Sequence, residues 1–384
     1  MRTVYLDNNA TTQVDPAVVA EMMPFLTERY GNPSSMHDFG GDVGREIERA
    51  RERVAACLGA EHPSEIVFTS CGTESDNTAI RSALLSRKGR KRVITTRVEH
   101  PAVLNVARQL EREGYEVTYL PVDRDGLLDL DLLREKMDAD VALVSVMAAN
   151  NETGVLFPVE EVGRIAHEHD ALFHTDAVQA VGKLRLTLAG GNIDLLALSG
   201  HKLHAPKGVG ALYVRRGQRF RPFLLGGHQE RGRRGGTENV PGIVALGKAA
   251  ELAAAHLGEE QTRVRRLRDR LEEGLLRVPE TRLNGHKEKR LPGTTNISFK
   301  NVEGEAILLM LNQRGICASS GSACTSGTLE PSHVLRAMGV PFNFAHGSVR
   351  LSLGRFNTDE DVDFVLEVMP ALIARLREIS PFRD

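Results

Sequence analysis

Short apolar runs alternate with amphipathic stretches over the first two thirds of the chain. Runs rich in β-branched residues predict seven strands, at 65–69, 92–96, 116–120, 141–146, 171–174, 195–199 and 210–214. Helical periodicity between them predicts helices at 74–86, 101–113 and 159–169. Pro101 and Gly114 fit the usual preferences for the start and the end of the second helix. The alternation favours an α/β fold with an open, mainly parallel seven-stranded sheet flanked by helices.

After about residue 240 the pattern changes to long, charged, amphipathic stretches. Helices are predicted at 243–257, 262–277, 303–314 and 358–377, and strands at 295–299 and 348–353. This order is typical of a smaller α+β unit. The N-terminal segment is extended and need not belong to the large unit. We therefore predict a large domain over residues 16–255, and a small domain formed by residues 1–15 and 256–384.

Composition narrows the class of protein. The chain has 384 residues, of which 41% are hydrophobic and 26% charged, and a formal net charge of −2, so no overall field favours nucleic acid or an anionic membrane. The arginine-containing run at 229–234 is too short and too mixed with glycine for a nucleic-acid surface. Because no secretory signal and no apolar run of membrane-spanning length is visible, we expect a cytoplasmic protein. The four cysteines show neither a CxxC pair nor zinc-ligand spacing.

Cys324 lies in a run of small polar residues, SSGSACTSG at 319–327. The run offers no apolar face, and its glycines and serines favour a solvated loop. A thiol exposed on such a loop is a liability in an intracellular protein unless its chemistry is used. An incidental exposed cysteine is the alternative.

Lys202 directly follows an apolar strand, in the sequence LSGHK at 198–202. Ser199, Gly200 and His201 could together hold an anion with a hydroxyl, backbone N–H groups and an imidazole. Asp176 closes another strand. A lysine and a carboxylate at neighbouring strand ends are what a pyridoxal phosphate site needs, because the lysine forms a Schiff base and the acid keeps the pyridine nitrogen protonated. A structural ion pair between the two residues is the alternative.

Gly72 and Thr73 lie between the strand at 65–69 and the helix that follows it. A strand, a Gly-Thr turn and a helix start form a phosphate-binding geometry of free N–H groups and a hydroxyl. Ordinary N-capping by a hydroxyl explains the same pattern. Neither the P-loop motif nor the GxGxxG fingerprint is present.

His100 and Arg350 complete the set of candidate residues. His100 precedes Pro101 at a strand-to-helix junction, where an imidazole could stack on an aromatic cofactor and move protons, or simply cap the helix. Arg350 alternates with apolar residues on a predicted strand. It needs a partner there, and both a substrate carboxylate and a cross-strand acid are suitable.

The segments that carry these candidates resemble the cysteine desulfurases, pyridoxal phosphate enzymes of the class V aminotransferase superfamily. The matching segments are LDNNATT (6–12), GNPSSMH (31–37), TSCGTESDN (69–77), EHPAV (99–103), ANNETG (149–154), HTDAVQAVGK (174–183), SGHKLHAPKGVG (199–210), GGHQERGRRGGTENV (226–240) and SSGSACTSGTLEPSHVLRAMG (319–339). The resemblance covers nearly the whole chain and implies fold type I of the pyridoxal phosphate enzymes. GHQERGRR, TSCGTESDN and a chain that stops soon after residue 382 are most similar to the nitrogen-fixation branch, which supplies sulfur for nitrogenase metalloclusters.

The resemblance also implies which residues hold the pyridoxal 5'-phosphate. Lys202 resembles the Schiff-base lysine, Asp176 the partner of the pyridine nitrogen, and Gln179 the donor to the phenolic oxygen. His100 resembles the histidine that stacks on the ring, and Asn151 a residue that holds the cofactor and the substrate. The residues similar to the phosphate cradle are Gly72, Thr73, Ser199, Gly200 and His201. Thr237 matches a threonine that reaches the phosphate of the other subunit, which implies a homodimer.

The implied reaction converts L-cysteine into L-alanine and leaves a persulfide on Cys324. Arg350 then binds the substrate carboxylate together with Asn151, and His100 exchanges protons with the thiols. The implied sulfur acceptor is an iron–sulfur scaffold protein, and Cys324 is the one metal candidate, as a transient iron–sulfur ligand through its persulfide. A selenocysteine lyase and an aminotransferase are the alternative enzymes, and a non-catalytic sulfur carrier or scaffold partner is the alternative outside enzymes.

Overall fold

The structure, a computed structural model, describes residues 2–320 and 331–380. The strands are β1 Val4–Tyr5, β2 Ile66–Thr69, β3 Arg92–Thr96, β4 Glu116–Leu120, β5 Val141–Ser145, β6 Leu172–Asp176, β7 Leu195–Ser199, β8 Gly210–Val214, β9 Thr281–Leu283, β10 Thr294–Phe299, β11 Ile316–Cys317 and β12 Ser348–Ser352. The helices are α1 Pro16–Met22, α2 Pro24–Thr27, α3 Asp38–Leu58, α4 Gly72–Ser86, α5 Pro101–Arg112, α6 Leu130–Lys136, α7 Val159–Glu168, α8 Gln229–Gly232, α9 Val240–Glu259, α10 Arg265–Leu275, α11 Gly304–Gln313, α12 His333–Ala337, α13 Phe342–Ala345 and α14 Asp359–Ile379.

Seven strands form the main sheet, in the order β2-β8-β7-β6-β5-β3-β4. All pairs in it are parallel except those that β8 makes with its neighbours β2 and β7. The sequence-based prediction of a mainly parallel seven-stranded sheet is therefore confirmed. The central strands β5, β6 and β7 are buried at every position, as expected for strands covered by helices on both faces.

Helix α3 is the largest element that the sequence analysis missed. Its buried positions follow a helical period, with Val43, Ile47, Ala50, Val54 and Leu58 on one face. Many charged residues surround this stripe, and three glycines near the start weaken the helical pattern. The stripe packs against α9, where a Cβ on Gly247 would lie 2.6 Å from the Cα of Ala50, so glycine permits a close crossing of the two helices.

A second core surrounds the antiparallel sheet β12-β10-β9. The N-terminal segment belongs to it, because β1 pairs with β11 in parallel and Val4 and Leu6 are buried among its side chains. The two helices predicted at 243–257 and 262–277 are one continuous helix, Val240–Leu275, in which Glu260–Val264 forms a π-helical turn. The domain boundaries at residues 15 and 255 stay a prediction.

The helix Val240–Leu275 is also long and apolar enough, by length and composition alone, to cross a membrane. Half of its most apolar window is buried inside the protein. A buried core helix meets the same criterion, and much of the α9 part of this helix lies in the core of the large sheet.

A buried ion pair ties the arginine-containing run at 229–234 to α3. Arg51 donates from Nη1 and Nη2 to the carboxylate of Glu230 over 2.7 and 2.9 Å, and the two side chains are only 4% and 3% exposed. Glu230 also accepts from the backbone N–H of Phe68 at 3.0 Å. The pair therefore anchors this run to the start of β2.

Replacing Arg51 with methionine leaves the carboxylate of Glu230 buried without its cation. We expect the free energy of unfolding to fall by about 3–5 kcal/mol, measured by urea denaturation. The control is Arg49→Met on the same helix, which removes an exposed ion pair with Glu46 and is expected to change stability by less than about 0.5 kcal/mol. Equal stability of the two variants would contradict an anchoring role for the buried pair.

Candidate active site

A cavity of about 280 Å³ opens at the carboxyl ends of the parallel strands. Loops that follow β2, β3, β5, β6 and β7 form its walls, and the N-terminal segment and β12 close it from the side of the second core. This edge of an open α/β sheet is where such folds bind ligands. The residues that line the cavity are Asn9, Ala10, Cys71, Gly72, Thr73, Asp76, His100, Met147, Ala149, Asn151, Asp176, Val178, Gln179, Ser199, His201, Lys202 and Arg350.

Lys202 ends the short 3₁₀ turn Gly200–Lys202 that follows β7. Its Nζ donates to the backbone carbonyls of Asn9 and of Ala10, the latter at 2.7 Å. It forms no ion pair with Asp176 in the described chain, so the alternative of a structural pair is not supported. Removal from water and the nearby cations Lys183 and Arg350 lower the pKa of Lys202 to about 7. A large share of the amine is therefore neutral and nucleophilic at neutral pH.

Asp176 ends β6, next to β7 in the sheet, and faces the same cavity. Its Oδ1 accepts from the N–H of Val178 at 2.9 Å, and burial raises its pKa. Asp76 lies nearby, and burial together with the carboxylates of Asp176 and Glu99 raises the pKa of Asp76 well above its usual range. A buried carboxyl group is stabilised in its ionised form by a nearby cation, which a protonated pyridine nitrogen would supply.

The start of α4 lies beside the turn that follows β7. The first residue of α4, Gly72, is buried, and a Cβ on it would lie 2.7 Å from Val178 Cγ2 and 3.5 Å from Ser199 Cβ. No side chain in the described chain caps this helix start, so capping by Thr73 does not explain the pattern. The hydroxyl of Ser199 is buried without a hydrogen-bond partner among the described residues. An open helix N-terminus beside an unpaired hydroxyl fits a phosphate group.

His201 lies at the same end of the cavity. Its Nδ1 is 3.2 Å from the hydroxyl of Thr11. Desolvation and the cations Lys202 and Lys207 lower its pKa to about 4. The imidazole is therefore neutral at pH 7 and can serve an anion as a hydrogen-bond donor rather than as a charge.

His100 caps α5, as one of the two sequence-based alternatives expected, and it also lines the cavity. Its Nδ1 accepts from the N–H of Ala102 at 3.1 Å, which leaves the proton of the neutral ring on Nε2. Desolvation lowers its pKa. In this arrangement the ring can donate a hydrogen bond from Nε2, and it can take up a proton only by giving up the cap.

Arg350 reaches the cavity from β12. Its Nη2 donates to Asp7 Oδ1 at 2.7 Å and its Nη1 to the backbone carbonyl of Asn151 at 2.9 Å. The acid partner that the sequence analysis considered therefore exists, but it lies on the N-terminal segment and not on the neighbouring strand. Gln179 donates from Nε2 to the carbonyl of Asn9 at 2.9 Å, and its role towards the phenolic oxygen of the cofactor stays a prediction.

Of the predicted residues, Gly200 and Thr237 do not line this cavity, and Cys324 is not among the residues that the structure describes. Thr237 is exposed. Cys324, which is also the predicted iron–sulfur ligand, falls within residues 321–330. In the part of the chain that the structure describes, no group of three or more His, Cys, Asp or Glu residues could hold a metal ion.

The contribution of the N-terminal segment was not predicted from the sequence. Asn9 and Ala10 supply the carbonyl oxygens that hold Lys202, and Asp7 binds Arg350. The motif LDNNATT at 6–12 was a signal for this segment, but its spacing cannot show that it meets residues 192 to 343 positions away.

The cavity fits pyridoxal phosphate. An amine of low proton affinity lies at one wall, a buried carboxyl group that would suit a pyridine nitrogen lines the same space, and an unpaired hydroxyl at a helix start would suit the phosphate. His100 and Gln179 border the same space. These observations assign to each chemical part of the cofactor a matching group of the chain.

Comparison with known proteins agrees with the geometry. The family described as aminotransferase class-V matches residues 4–365. The chain is 62% identical to a cysteine desulfurase of Trichormus azollae, over 100% of this chain and 96% of the relative. It is 59% identical to the cysteine desulfurase NifS of Azotobacter vinelandii, over 100% and 95%. A solved NifS-like protein superimposes with a TM-score of 0.92 at 42% identity, covering 98% of this chain and all of that one. The chain therefore belongs to the class V aminotransferase family and, within it, to the pyridoxal phosphate-dependent cysteine desulfurases.

Proposed function

We propose that this protein takes the sulfur atom from L-cysteine, releases L-alanine and carries the sulfur as a persulfide on Cys324. The observation that carries the proposal is the position of the chain on either side of that cysteine. Ser319 pairs with Arg350 through two backbone hydrogen bonds, at 2.6 and 3.2 Å. His333 Nε2 lies 3.0 Å from the carbonyl of Glu99, next to His100. The segment that contains Cys324 therefore begins and ends beside the cavity.

The length of that segment supports the same proposal. Cys324 is five residues from Ser319, and a chain of five residues spans at most about 18 Å. This distance allows the thiol to enter the cavity beside Arg350. The glycine and serine content of the segment favours the changes in shape that collecting sulfur and delivering it both need.

Each side chain has its own role in the proposed reaction. Arg350 binds the substrate carboxylate, and neutral Lys202 takes the proton from the substrate Cα. Pyridoxal phosphate, when bound, supplies the sink for the electron pair left at that carbon, and Asp176 pairs with its pyridine nitrogen. The thiolate of Cys324 attacks the substrate sulfur, so an S–S bond forms while the Cβ–S bond breaks. The electron pair of the broken bond stays with the carbon fragment, which is protonated and leaves as L-alanine.

Product stoichiometry with L-cysteine as the sole substrate tests the proposal. We expect one L-alanine for each sulfane sulfur bound to the protein or sulfide released. Formation of a keto acid instead would indicate an aminotransferase. A strong preference for L-selenocysteine would indicate a selenocysteine lyase. A purified protein that holds no pyridoxal phosphate and forms no product would overturn the enzymatic assignment.

We further propose a homodimer in which Thr237 completes the phosphate site of the partner. Three large apolar side chains beside this loop are exposed, Phe223 by 48%, Leu224 by 42% and Leu225 by 79%. The N–H of Gly235 donates to the carbonyl of Leu224 at 2.9 Å, which holds this patch against the loop of Thr237. An exposed apolar patch next to a polar residue that its own cavity does not use is typical of a subunit interface.

The proposed destination of the sulfur is an iron–sulfur scaffold protein, with Cys324 as a transient ligand through its persulfide. The similarity to a protein named NifS supports the nitrogen-fixation branch and a role in supplying nitrogenase clusters. A cytoplasmic location belongs to the same proposal.

A further inference from the structure

Asn9 connects the two cores behind the amine of Lys202. Its backbone carbonyl accepts from Lys202 Nζ and from Gln179 Nε2. Its side-chain Nδ2 donates to the hydroxyl of Thr294 at 2.9 Å and to the carbonyl of Asn151 at 3.2 Å. Asn9 itself is only 2% exposed, so this position of its carbonyl oxygen is fixed from several sides.

Among the described residues, Lys183 makes the other hydrogen bond to the side chain of Asn9. Its Nζ donates to Asn9 Oδ1 at 3.0 Å and to Gln179 Oε1 at 3.2 Å. Lys183 does not line the candidate active site. It lies on the other side of Lys202, in a small cavity that also borders Glu260 and Arg355. Lys183 therefore binds Asn9, whose carbonyl accepts from Lys202, and Gln179, which donates to the same carbonyl. It does so without lining the candidate active site.

We propose that Lys183 is a positioning residue for Lys202. Its ammonium holds the side chains of Asn9 and Gln179, and the backbone carbonyl of Asn9, to which Gln179 also donates, accepts from the amine of Lys202. The inference rests on the proposed role of Lys202 in the desulfurase reaction. It assigns a function to a lysine that has no contact with the substrate cavity.

Lys183 acts on Lys202 through its charge as well as through its hydrogen bonds. After desolvation, Lys183 is the largest influence that lowers the pKa of Lys202, followed by Arg350, while Asp7 and Asp176 oppose both. Lys183 itself has a pKa lowered to about 8 by desolvation and Arg350, against the opposing effect of Glu260. It is therefore charged at pH 7. A like charge at this position disfavours a proton on the nitrogen of Lys202, both as a free amine and when joined to the cofactor.

The test replaces Lys183 in the complete, cofactor-loaded protein and follows the absorbance of bound pyridoxal phosphate against pH. Lys183→Met removes both charge and hydrogen bonds, and Lys183→Gln removes the charge but keeps a donor. The spectral midpoint is the pH at which half of the absorbance change has occurred. Because both variants lose the like charge, we expect this midpoint to rise by about one pH unit in each variant. We expect kcat to fall about tenfold in Lys183→Met and less in Lys183→Gln, which still holds Asn9.

Two controls separate this effect from a general loss of structure. Lys183→Arg keeps the charge and should keep the midpoint within about 0.3 pH units of the unsubstituted protein. Lys248→Met makes the same chemical change on α9, where Lys248 pairs with Glu251, and should leave the midpoint unchanged. An unmoved midpoint in either uncharged variant overturns the proposal. Loss of the Lys202–cofactor link is a different result, since it would refute the role of Lys202 and not that of Lys183.

Discussion

Replacing Lys202 with alanine is expected to remove the absorption band of the lysine-bound cofactor and to lower desulfuration by a factor of at least about 10⁴. Lys202 is the amine that faces the cavity, and its pKa of about 7 makes it both a nucleophile and a base near neutral pH. No second lysine of the described chain lines this cavity. The measurement is the visible spectrum of the freshly purified protein, with no amine added, together with the rate of alanine formation.

Lys248→Ala is the control for this experiment, because it removes a lysine whose ammonium is paired with Glu251 and remote from the cavity lining. It should retain both the band and the rate. A band that survives in Lys202→Ala would mean that another amine holds the cofactor, and the assignment of Lys202 would be wrong.

Replacing Cys324 with serine is expected to abolish the transfer of sulfur to the protein while the cofactor stays bound. A hydroxyl cannot form the S–S bond that accepts the substrate sulfur, so the loss should exceed about 10³-fold even though cofactor and substrate still bind. The measurements are sulfane sulfur bound per subunit and the cofactor spectrum. The spectrum should remain that of the unsubstituted protein.

The structure shows which of the other cysteines could accept the sulfur in place of Cys324 and which could not. Cys71 lines the cavity and offers an alternative acceptor, whereas Cys57 is remote and burial raises its pKa to about 11. Cys57→Ser should transfer sulfur normally. If Cys324→Ser retains sulfur transfer and Cys71→Ser loses it, the persulfide belongs on Cys71 and the assignment of Cys324 fails.

Prediction from sequence was most accurate where the local pattern of residues decides the structure. The seven predicted strands of the large sheet are present within a few residues, because short apolar β-branched runs with few polar interruptions are buried on both faces. It failed for α3, whose apolar stripe is diluted by charged residues and becomes evident only against α9. It also divided Val240–Leu275 into two helices, since a π-helical turn changes the period without ending the helix.

The candidate site likewise contains residues that the local pattern predicts and residues that it does not. Lys202, Asp176 and Gly72 each lie at or just beyond the end of an apolar strand. Strand ends of a parallel sheet meet at one edge, so pattern and motif together were enough to find them. The carbonyls of Asn9 and Ala10, the pairing of Asp7 with Arg350, and Lys183 behind Asn9 were not predictable in this way. The residue type does not show where a backbone oxygen will lie, and partners 174 to 343 positions apart are brought together only when the two cores pack.

The sequence by itself therefore determined the α/β class and the family and supplied the candidates for the chemically active side chains, because these depend on local periodicity and on which residue types occur in order. Only the tertiary structure decided how those side chains behave. The low pKa of Lys202, the neutral state of His201 and the hydrogen-bonded tautomer of His100 arise from burial and from neighbours that are distant along the chain. Desolvation and Coulomb interactions depend on distance in space and not on distance in sequence.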